Sequence, residues 1–176
     1  MSSLDTFKFL SAVEIFLLSP DKREVLLMHR SKDRKFLPGY YAGLGGKMDS
    51  DVNETPFDTA IREIEEESGY KEFYIENLKL KAVFTAFDRY GKWMVFDFVG
   101  VVTKKLFNSK VKTEEGTLEW VQLQELDKLK LIPDLQYGTL QKIINSDDIL
   151  WIKSNFDNND KLIDLYVNNS PIVINI

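Results

Sequence analysis

Between Thr55 and Gly69 the chain carries a helix with both ends marked, and the rest of the fold must be arranged around it. Thr55 offers a side-chain acceptor for the N-cap, Pro56 suits the first helical position, and Asp58 completes a reciprocal capping box. Gly69 suits the left-handed residue that closes a helix. Inside these limits Phe57, Ala60, Ile61 and Ile64 recur at the i, i+3, i+4, i+7 spacing of a buried stripe. The surrounding segments are of another kind. Residues 8–19 and 24–30 are apolar-rich and flank Ser19-Pro20-Asp21-Lys22, which reads as two strands and a turn. Residues 31–47 read as a loop rich in Gly and Tyr. Residues 78–87 and 92–103 read as a hairpin through Arg89-Tyr90-Gly91. The longest apolar run, Met94–Val102, lies in its second strand and is broken by Asp97 and Gly100. A strand over Leu118–Leu123 and a helix over Leu135–Ile144 follow. Ile149–Phe156 and Lys161–Val167 close the chain as a hairpin around Asp157-Asn158-Asn159-Asp160. Strands outnumber helices and the helices fall between strand groups. The expected class is therefore α+β, an α/β/α sandwich with a mixed sheet. No repeat or linker interrupts the 176 residues, so one domain over 1–176 is expected.

Composition narrows the chemistry. The chain has no cysteine, which excludes disulfides, thiol catalysis, Cys-ligated zinc and iron–sulfur clusters. One histidine, His29, excludes multi-His metal sites, and its place in the 24–30 strand reads as a strand-edge position. An enzyme built from this chain must run on carboxylates, lysines, hydroxyls, backbone groups or a bound hard cation. No window approaches the roughly 18 apolar residues of a membrane span. The start, Met1-Ser2-Ser3-Leu4-Asp5, lacks the layout of a signal peptide, so a cytoplasmic protein with no membrane partner is expected. Without a basic stripe, nucleic acid is not an expected partner. A small phosphorylated ligand bridged by a cation fits the charge, in a monomer or homodimer.

That charge is local. The formal net charge is −5, from 28 acidic and 23 basic side chains. Residues 46–69 alone hold Asp49, Asp51, Glu54, Asp58, Glu63, Glu65, Glu66 and Glu67 against Lys47 and Arg62. The rest of the chain is close to neutral. Glu63, Glu66 and Glu67 stand at i, i+3 and i+4 and share a helix face, where neighbours lie roughly 5–6 Å apart at Cβ. Three carboxylates so placed destabilise a helix unless a cation sits among them. Hard divalent cations take oxygen ligands, and Mg²⁺ in particular joins a few carboxylates to substrate phosphates. Arg62, four residues before Glu66, could orient it. The commoner role of an acidic run such as Glu65-Glu66-Glu67 is a solvated face.

The run Gly46 … Glu54 … Arg62-Glu63-Ile64-Glu65-Glu66-Glu67-Ser68-Gly69-Tyr70 resembles the Nudix box of the MutT/Nudix hydrolases, G-x₅-E-x₇-R-E-U-x-E-E-x-G-U with U a bulky apolar residue. From Glu54 onward every specified position matches. Seven residues, Lys47–Asn53, separate Gly46 from Glu54 where the family usually has five, and the surplus falls in the turn-prone Asp49-Ser50-Asp51-Val52. Asn53 stands where the family commonly has Gly, a substitution suited to left-handed backbone.

The resemblance implies a Nudix fold with a loop–helix–loop that binds Mg²⁺ or Mn²⁺ and cleaves a nucleoside diphosphate linked to another group. It implies metal ligation by Glu63, Glu66, Glu67 and the carbonyl of Gly46, with Glu54 and Arg62 bracing the site. Glu63 or Glu115 would take the proton of the attacking water; for Glu115 an ordinary exposed loop position is equally open. Tyr41-Ala42-Gly43-Leu44-Gly45-Gly46-Lys47, Trp120 and Lys161-Leu162-Ile163-Asp164 are similar to the 8-oxo-dGTP diphosphatase branch. Some members of that branch read the purine edge with an Asp after a Pro near the late helix, the place of Asp134 here. Its alternative is to cap a helix beginning at Leu135. The implied substrate contacts are Tyr41, Gly45, Lys47 and Asp134. Where some members use an Asn against the base this chain has Ala42, and Phe36, Tyr40, Tyr41 and Phe87 offer stacking faces. The implied reaction releases a nucleoside monophosphate and pyrophosphate. ADP-ribose, a dinucleoside polyphosphate or another diphosphate conjugate is the alternative substrate, and a silent nucleotide-binding module the alternative class.

Overall fold

The computed structural model describes residues 9–89 and 91–174. Its elements are β1 (Phe9–Leu18), β2 (Glu24–Arg30), β3 (Tyr41–Ala42), α1 (Pro56–Ser68), β4 (Ile75–Asp88), β5 (Gly91–Val102), β6 (Val111–Lys112), β7 (Gly116–Gln122), α2 (Thr139–Asn145), β8 (Leu150–Phe156), β9 (Leu162–Val167) and β10 (Ser170–Pro171). The strands form one mixed sheet in the order β10-β9-β8-β4-β5-β1-β2-β7-β6, with β3 paired to β2. β1 runs parallel to β5 and β4 parallel to β8; the other pairs are antiparallel. The α+β reading holds, as do the two expected hairpins at β4–β5 and β8–β9. Tyr90 of the first turn and Met1–Asp5 lie outside the described residues.

Strand side chains alternate between two faces, so each strand supplies two cores. On one face Val13, Ile15, Leu17, Leu26 and Phe98 pack with Ala60 and Ile64 of α1. On the other, Phe16, Leu18, Leu27, Phe84 and Val99 pack with Leu135, Leu140 and Ile143 beneath α2. The capping box at Thr55 and Asp58 is present, and Gly69 closes α1 in the left-handed conformation, φ 74°.

Three sequence expectations need correction. The buried stripe of α1 is Thr59, Ala60, Glu63 and Ile64, while Phe57 is 41% exposed and only its edge meets Phe98. Glu63 is drawn inward because the chain before the helix folds over it. The late helix is shorter than expected. Pro133–Leu135 is a single 3₁₀ turn, Tyr137 and Gly138 are left-handed (φ 57° and 77°), and α2 starts only at Thr139. Asp134 therefore caps no helix beginning at Leu135. Asn53 is not among the residues with positive φ.

The feature that positions the site is a split in the sheet. β1 and β2 pair only at Leu17–Leu26 and Leu18–Val25. Beyond that point β2 turns toward β7, and the Gly43–Met48 segment takes its place beside β1. Its bonds include Ile15 N–H to Leu44 O (2.7 Å), Val13 N–H to Gly46 O (2.9 Å) and Met48 N–H to Ser11 O (3.1 Å).

Candidate active site

Glycine is required along this segment because backbone meets backbone. Gly45 has φ 147°, and a Cβ there would lie 2.2 Å from the carbonyl oxygen of Val13. At Gly46 a Cβ would lie 2.5 Å from Oε1 of Glu63. The loop thus rests directly against α1. Gly45 N–H donates to Oε2 of Glu67 at 3.0 Å, and the Glu63 carboxylate fills the space over Gly46. The helix period brings Glu63 and Glu67 onto one line toward this loop.

Arg62 organises the neighbouring acids. Its guanidinium donates to Glu63 (2.6 Å), Glu54 (3.2 Å) and Glu66 (3.3 Å), and to the carbonyl of Lys47 at 3.4 Å. Glu54 also accepts from Asp49 N–H at 2.8 Å, which ties the extra residues of the Lys47–Asn53 loop back to the helix. The lengthened loop therefore still delivers Glu54 to Arg62. Glu115, on the turn before β7, pairs with Arg34 at 3.2 Å and lies within electrostatic reach of both Glu63 and Glu67. Folding thus assembles Gly46, Glu54, Arg62, Glu63, Glu66, Glu67 and Glu115 in one place.

Burial raises the proton affinity of the inner acids. Glu67 is pushed up to about 8, chiefly by desolvation, against the lowering effect of the Gly45 hydrogen bond and with the charges of Glu115 and Glu63 adding to it. Glu63 is raised by burial, with Arg62 opposing. Glu54 goes the other way, held down by Asp49 N–H and Arg62. Among the described residues no group of three or more His, Cys, Asp or Glu is already arranged to hold a metal ion. The donor set nonetheless suits a hard divalent cation: all oxygen, and carrying more negative charge than Arg62 balances. A cation would relieve the desolvated Glu67 and Glu63.

The expected substrate contacts are dispersed around this centre. Tyr41 stacks on His29 (centroids 4.4 Å, 9° between planes) and its hydroxyl donates to Glu119 at 2.7 Å, so that donor is engaged. Lys47 turns to the α2 face, its ammonium 5.4 Å from the Trp93 ring centroid. Asp134 is carried in by the chain beside β3, where Tyr41 N–H donates to Lys130 O and Ile132 N–H to Tyr41 O. It accepts from the Ser154 hydroxyl at 3.4 Å, and burial raises it to about 6. Tyr40 is covered by Lys130 at 3.9 Å, and Phe87 is 45% exposed.

Sequence reasoning missed three residues. Arg30 donates to the carbonyl of Phe36 (3.0 Å) and stands within electrostatic reach of Glu67, Glu115 and Glu14. Glu14 accepts from Gly43 N–H at 2.8 Å, and Asp97 is its register partner on β5. For Glu14 and Asp97 the available signal was an acid placed inside an otherwise apolar strand; Arg30, the last residue of β2, carried no such signal.

The model of the NUDIX domain family matches residues 8–142. This chain belongs to the NUDIX family. It is accordingly a Nudix pyrophosphohydrolase, of a family whose members use divalent metal ions. Solved structures share the fold. The MutT protein of Bacillus halodurans matches with a TM-score of 0.70 at 24% identity, covering 92% of this chain and 99% of its own. The NUDIX domain of Shewanella oneidensis NrtR, complexed with ADP ribose, matches at 0.60 and 18% identity, covering 81% and 89%. The Ap4A hydrolase of Caenorhabditis elegans matches at 0.51 and 16% identity, covering 70% and 87%. No helix among the described residues is long and apolar enough to cross a membrane.

Proposed function

We propose that this Nudix enzyme hydrolyses a purine nucleoside triphosphate of the 8-oxo-dGTP type to the monophosphate and pyrophosphate, with Mg²⁺ as its metal and the whole chain acting as one domain. The observation that carries the reading is the convergence of Glu63 and Glu67 on the Gly45–Gly46 backbone with Arg62 and Glu115 beside them. Glu63, Glu66, Glu67 and the Gly46 carbonyl would hold the metal, which neutralises phosphoryl oxygens and makes bound water nucleophilic near neutral pH. Arg62 keeps Glu63 and Glu66 oriented, and Glu54 keeps Arg62 oriented. Glu115 interacts with the same acids from another element, and in this reading it or Glu63 would accept the water's proton. Arg30, within electrostatic reach of Glu67, Glu115 and Glu14, would offer its charge to a phosphate chain bound there. Asp134 supports a purine, because a carboxyl group accepts from a ring N–H and an amino group.

The test is a panel of 8-oxo-dGTP, dGTP, ADP-ribose and a dinucleoside polyphosphate incubated with Mg²⁺, with pyrophosphate and phosphate release measured. Pyrophosphate from the triphosphates supports the proposal. Turnover of ADP-ribose or the dinucleoside alone transfers the same chemistry to that substrate, and turnover of none overturns the reading. Glu115→Gln against Glu63→Gln separates the two proton acceptors by their effect on the rising limb of the kcat–pH profile.

A further inference from the structure

The chain between β2 and β3 leaves and re-enters the sheet through one stem. There Arg30 N–H donates to Tyr40 O (2.9 Å) and Gly39 N–H to Arg30 O (3.1 Å). The second half of this arm is anchored: Leu37 is buried, and the Arg30 guanidinium donates to Phe36 O at 3.0 Å. The first half is tied to the turn before β7. Ser31 N–H donates to Glu115 O (2.9 Å), Arg34 N–H donates to Ser31 O (3.2 Å), and the Arg34 guanidinium stands 3.2 Å from Oε1 of Glu115.

The ion pair is not what places Glu115. Thr113 Oγ1 accepts from both Glu115 N–H and Gly116 N–H at 3.2 Å, and Thr113 N–H donates to Gly116 O at 2.9 Å. Gly116 lies so close to β2 that a Cβ there would stand 2.2 Å from His29 O. With the backbone fixed in this way, Arg34 governs only the Glu115 side chain. The pair is open to solvent, with side-chain exposures of 40% and 37%, and an ion pair so exposed is weak enough to exchange partners. Arg34 also lies within electrostatic reach of Arg30, and the two like charges oppose each other unless they share an anion.

A guanidinium beside a carboxylate stabilises its ionised form and so weakens it as a proton acceptor. The same guanidinium pairs bidentately with phosphate. We propose that Arg34 is a positioning residue that exchanges one anion for another. It holds Glu115 before substrate enters, moves to the phosphate chain when substrate binds, and so frees Glu115 to take the proton of the attacking water. The inference rests on the hydrolase reading with Glu115 as acceptor, and it adds the arm that keeps this acceptor engaged until phosphate arrives.

The first probe is inorganic tripolyphosphate, which carries a phosphate chain and no base. Its dissociation constant with Mg²⁺ is measured by calorimetry for the wild type, Arg34→Gln, Glu115→Gln and the double variant, with near-ultraviolet circular dichroism confirming the fold. Arg34→Gln is expected to weaken binding about 10-fold, the worth of a charge-assisted hydrogen bond, and Arg34→Lys to recover part of the loss. Glu115→Gln is expected to tighten binding about 3-fold, because Arg34 is no longer held back, and to have no such effect in the Arg34→Gln background. No binding by the wild type, or unchanged binding by Arg34→Gln, overturns the proposal. So does a gain from Glu115→Gln that persists without Arg34, since charge repulsion alone would then explain it. The second probe is turnover of whichever nucleotide the panel shows to be cleaved. Arg34→Gln should raise KM about 10-fold and change kcat less. A fall in kcat with KM unchanged would mean that Arg34 only pins Glu115, which overturns the proposal as well. The tripolyphosphate pattern without turnover of any nucleotide removes the hydrolase reading and leaves the exchange of partners standing. Turnover with Arg34 and Glu115 acting additively on tripolyphosphate binding does the reverse.

Discussion

Two groups of acids lie on opposite faces of the sheet, meeting at the Gly43–Gly46 loop. On the α1 side, Glu54, Glu63 and Glu66 share the guanidinium of Arg62 within 3.3 Å, and Glu54 is held below its ordinary carboxylate range. On the α2 side, no ion pair is made by Glu14 or Asp97 among the described residues, Arg30 acts on Glu14 only from a distance, and both acids are raised by burial. The first group sets charge against charge, with Arg62 opposing the effect of burial on Glu63. The second removes charge by holding protons. The same residue types thus become a candidate metal site in one place and a buried pair of raised acids in the other, because burial and the presence of a guanidinium differ. Glu67 sits between the two regimes: it points to the metal side, its one direct partner among the described residues is the Gly45 N–H, and it is raised to about 8.

The sharpest way to break the comparison is at Glu67. Glu67→Gln keeps the shape and the acceptor for Gly45 N–H but removes the charge. Turnover with Mg²⁺ is expected to fall by about 10³-fold. The metal-free protein should not lose stability, since a desolvated carboxyl has been replaced by a neutral amide. Steady-state kinetics and a thermal melt in chelator check both halves. A variant with near wild-type kcat would show that the metal is held elsewhere.

The second test is pH. A carboxyl whose folded-state proton affinity is raised leaves the folded chain with more bound protons than the unfolded chain. Stability is then greatest below the ordinary carboxylate range and falls as pH rises through it. For Asp134 the fall runs from the ordinary value near 3.8 to about 6, and for Glu14 and Asp97 it continues above that. Asp97→Asn should therefore differ least from the wild type at pH 4 and exceed it by a margin that grows as the pH rises to 8. Denaturant melts at the two pH values measure this. Equal curves at both would mean that Asp97 is ionised and paired in the folded protein.

How much of this was legible in the sequence follows from the range of each signal. The α1 group was legible because its partners are local: a helix period and a cap motif fix Glu63, Glu66 and Glu67 relative to Arg62, Thr55 and Gly69. The two extra loop residues did not disturb it, because Glu54 reaches back to Asp49 N–H. Glu14 and Asp97 are 83 residues apart and meet only through the parallel β1–β5 register, which no local pattern specifies. Asp134 was singled out from its Pro-Asp context, but its surroundings depend on the Tyr137–Gly138 left-handed break that shortened the late helix. Lys47 was singled out from the glycine loop, and its place over Trp93 depends on how the Gly43–Met48 segment pairs with β1.

Salt and cations distinguish the two groups further. Arg62→Ala leaves Glu54, Glu63 and Glu66 facing one another, with Glu54 and Glu63 only 10% and 12% exposed at the side chain. A loss of about 1–2 kcal/mol is expected at low salt. It should shrink with added NaCl and shrink more with millimolar Mg²⁺, which takes the place of the missing charge. The pH effect at Asp97 should respond to neither, since a buried carboxyl is poorly screened. Melts across a salt and Mg²⁺ series would reveal a shared electrostatic origin if both effects moved together.

The smallest effect is expected at the start of α1. Thr55 accepts from Asp58 N–H at 3.2 Å while Asp58 accepts from Thr55 N–H at 2.9 Å, both in solvent. Thr55→Ala removes half of this box and should cost about 1 kcal/mol. The helix end it fixes adjoins Glu54 but lies about two turns from Glu63 and about three from Glu67. Fraying there loosens the Glu54–Arg62 contact before it reaches the inner carboxylates. A modest rise in the Mg²⁺ concentration needed for half-maximal rate is therefore expected, with the pH effect of Asp97→Asn unchanged because the α2-side acids hang on β1 and β5. A Mg²⁺ titration of activity beside melts at pH 4 and pH 8 reads both. A change in the pH effect with no change in the Mg²⁺ requirement would mean that α1, and not the strand register, sets the surroundings of Asp97.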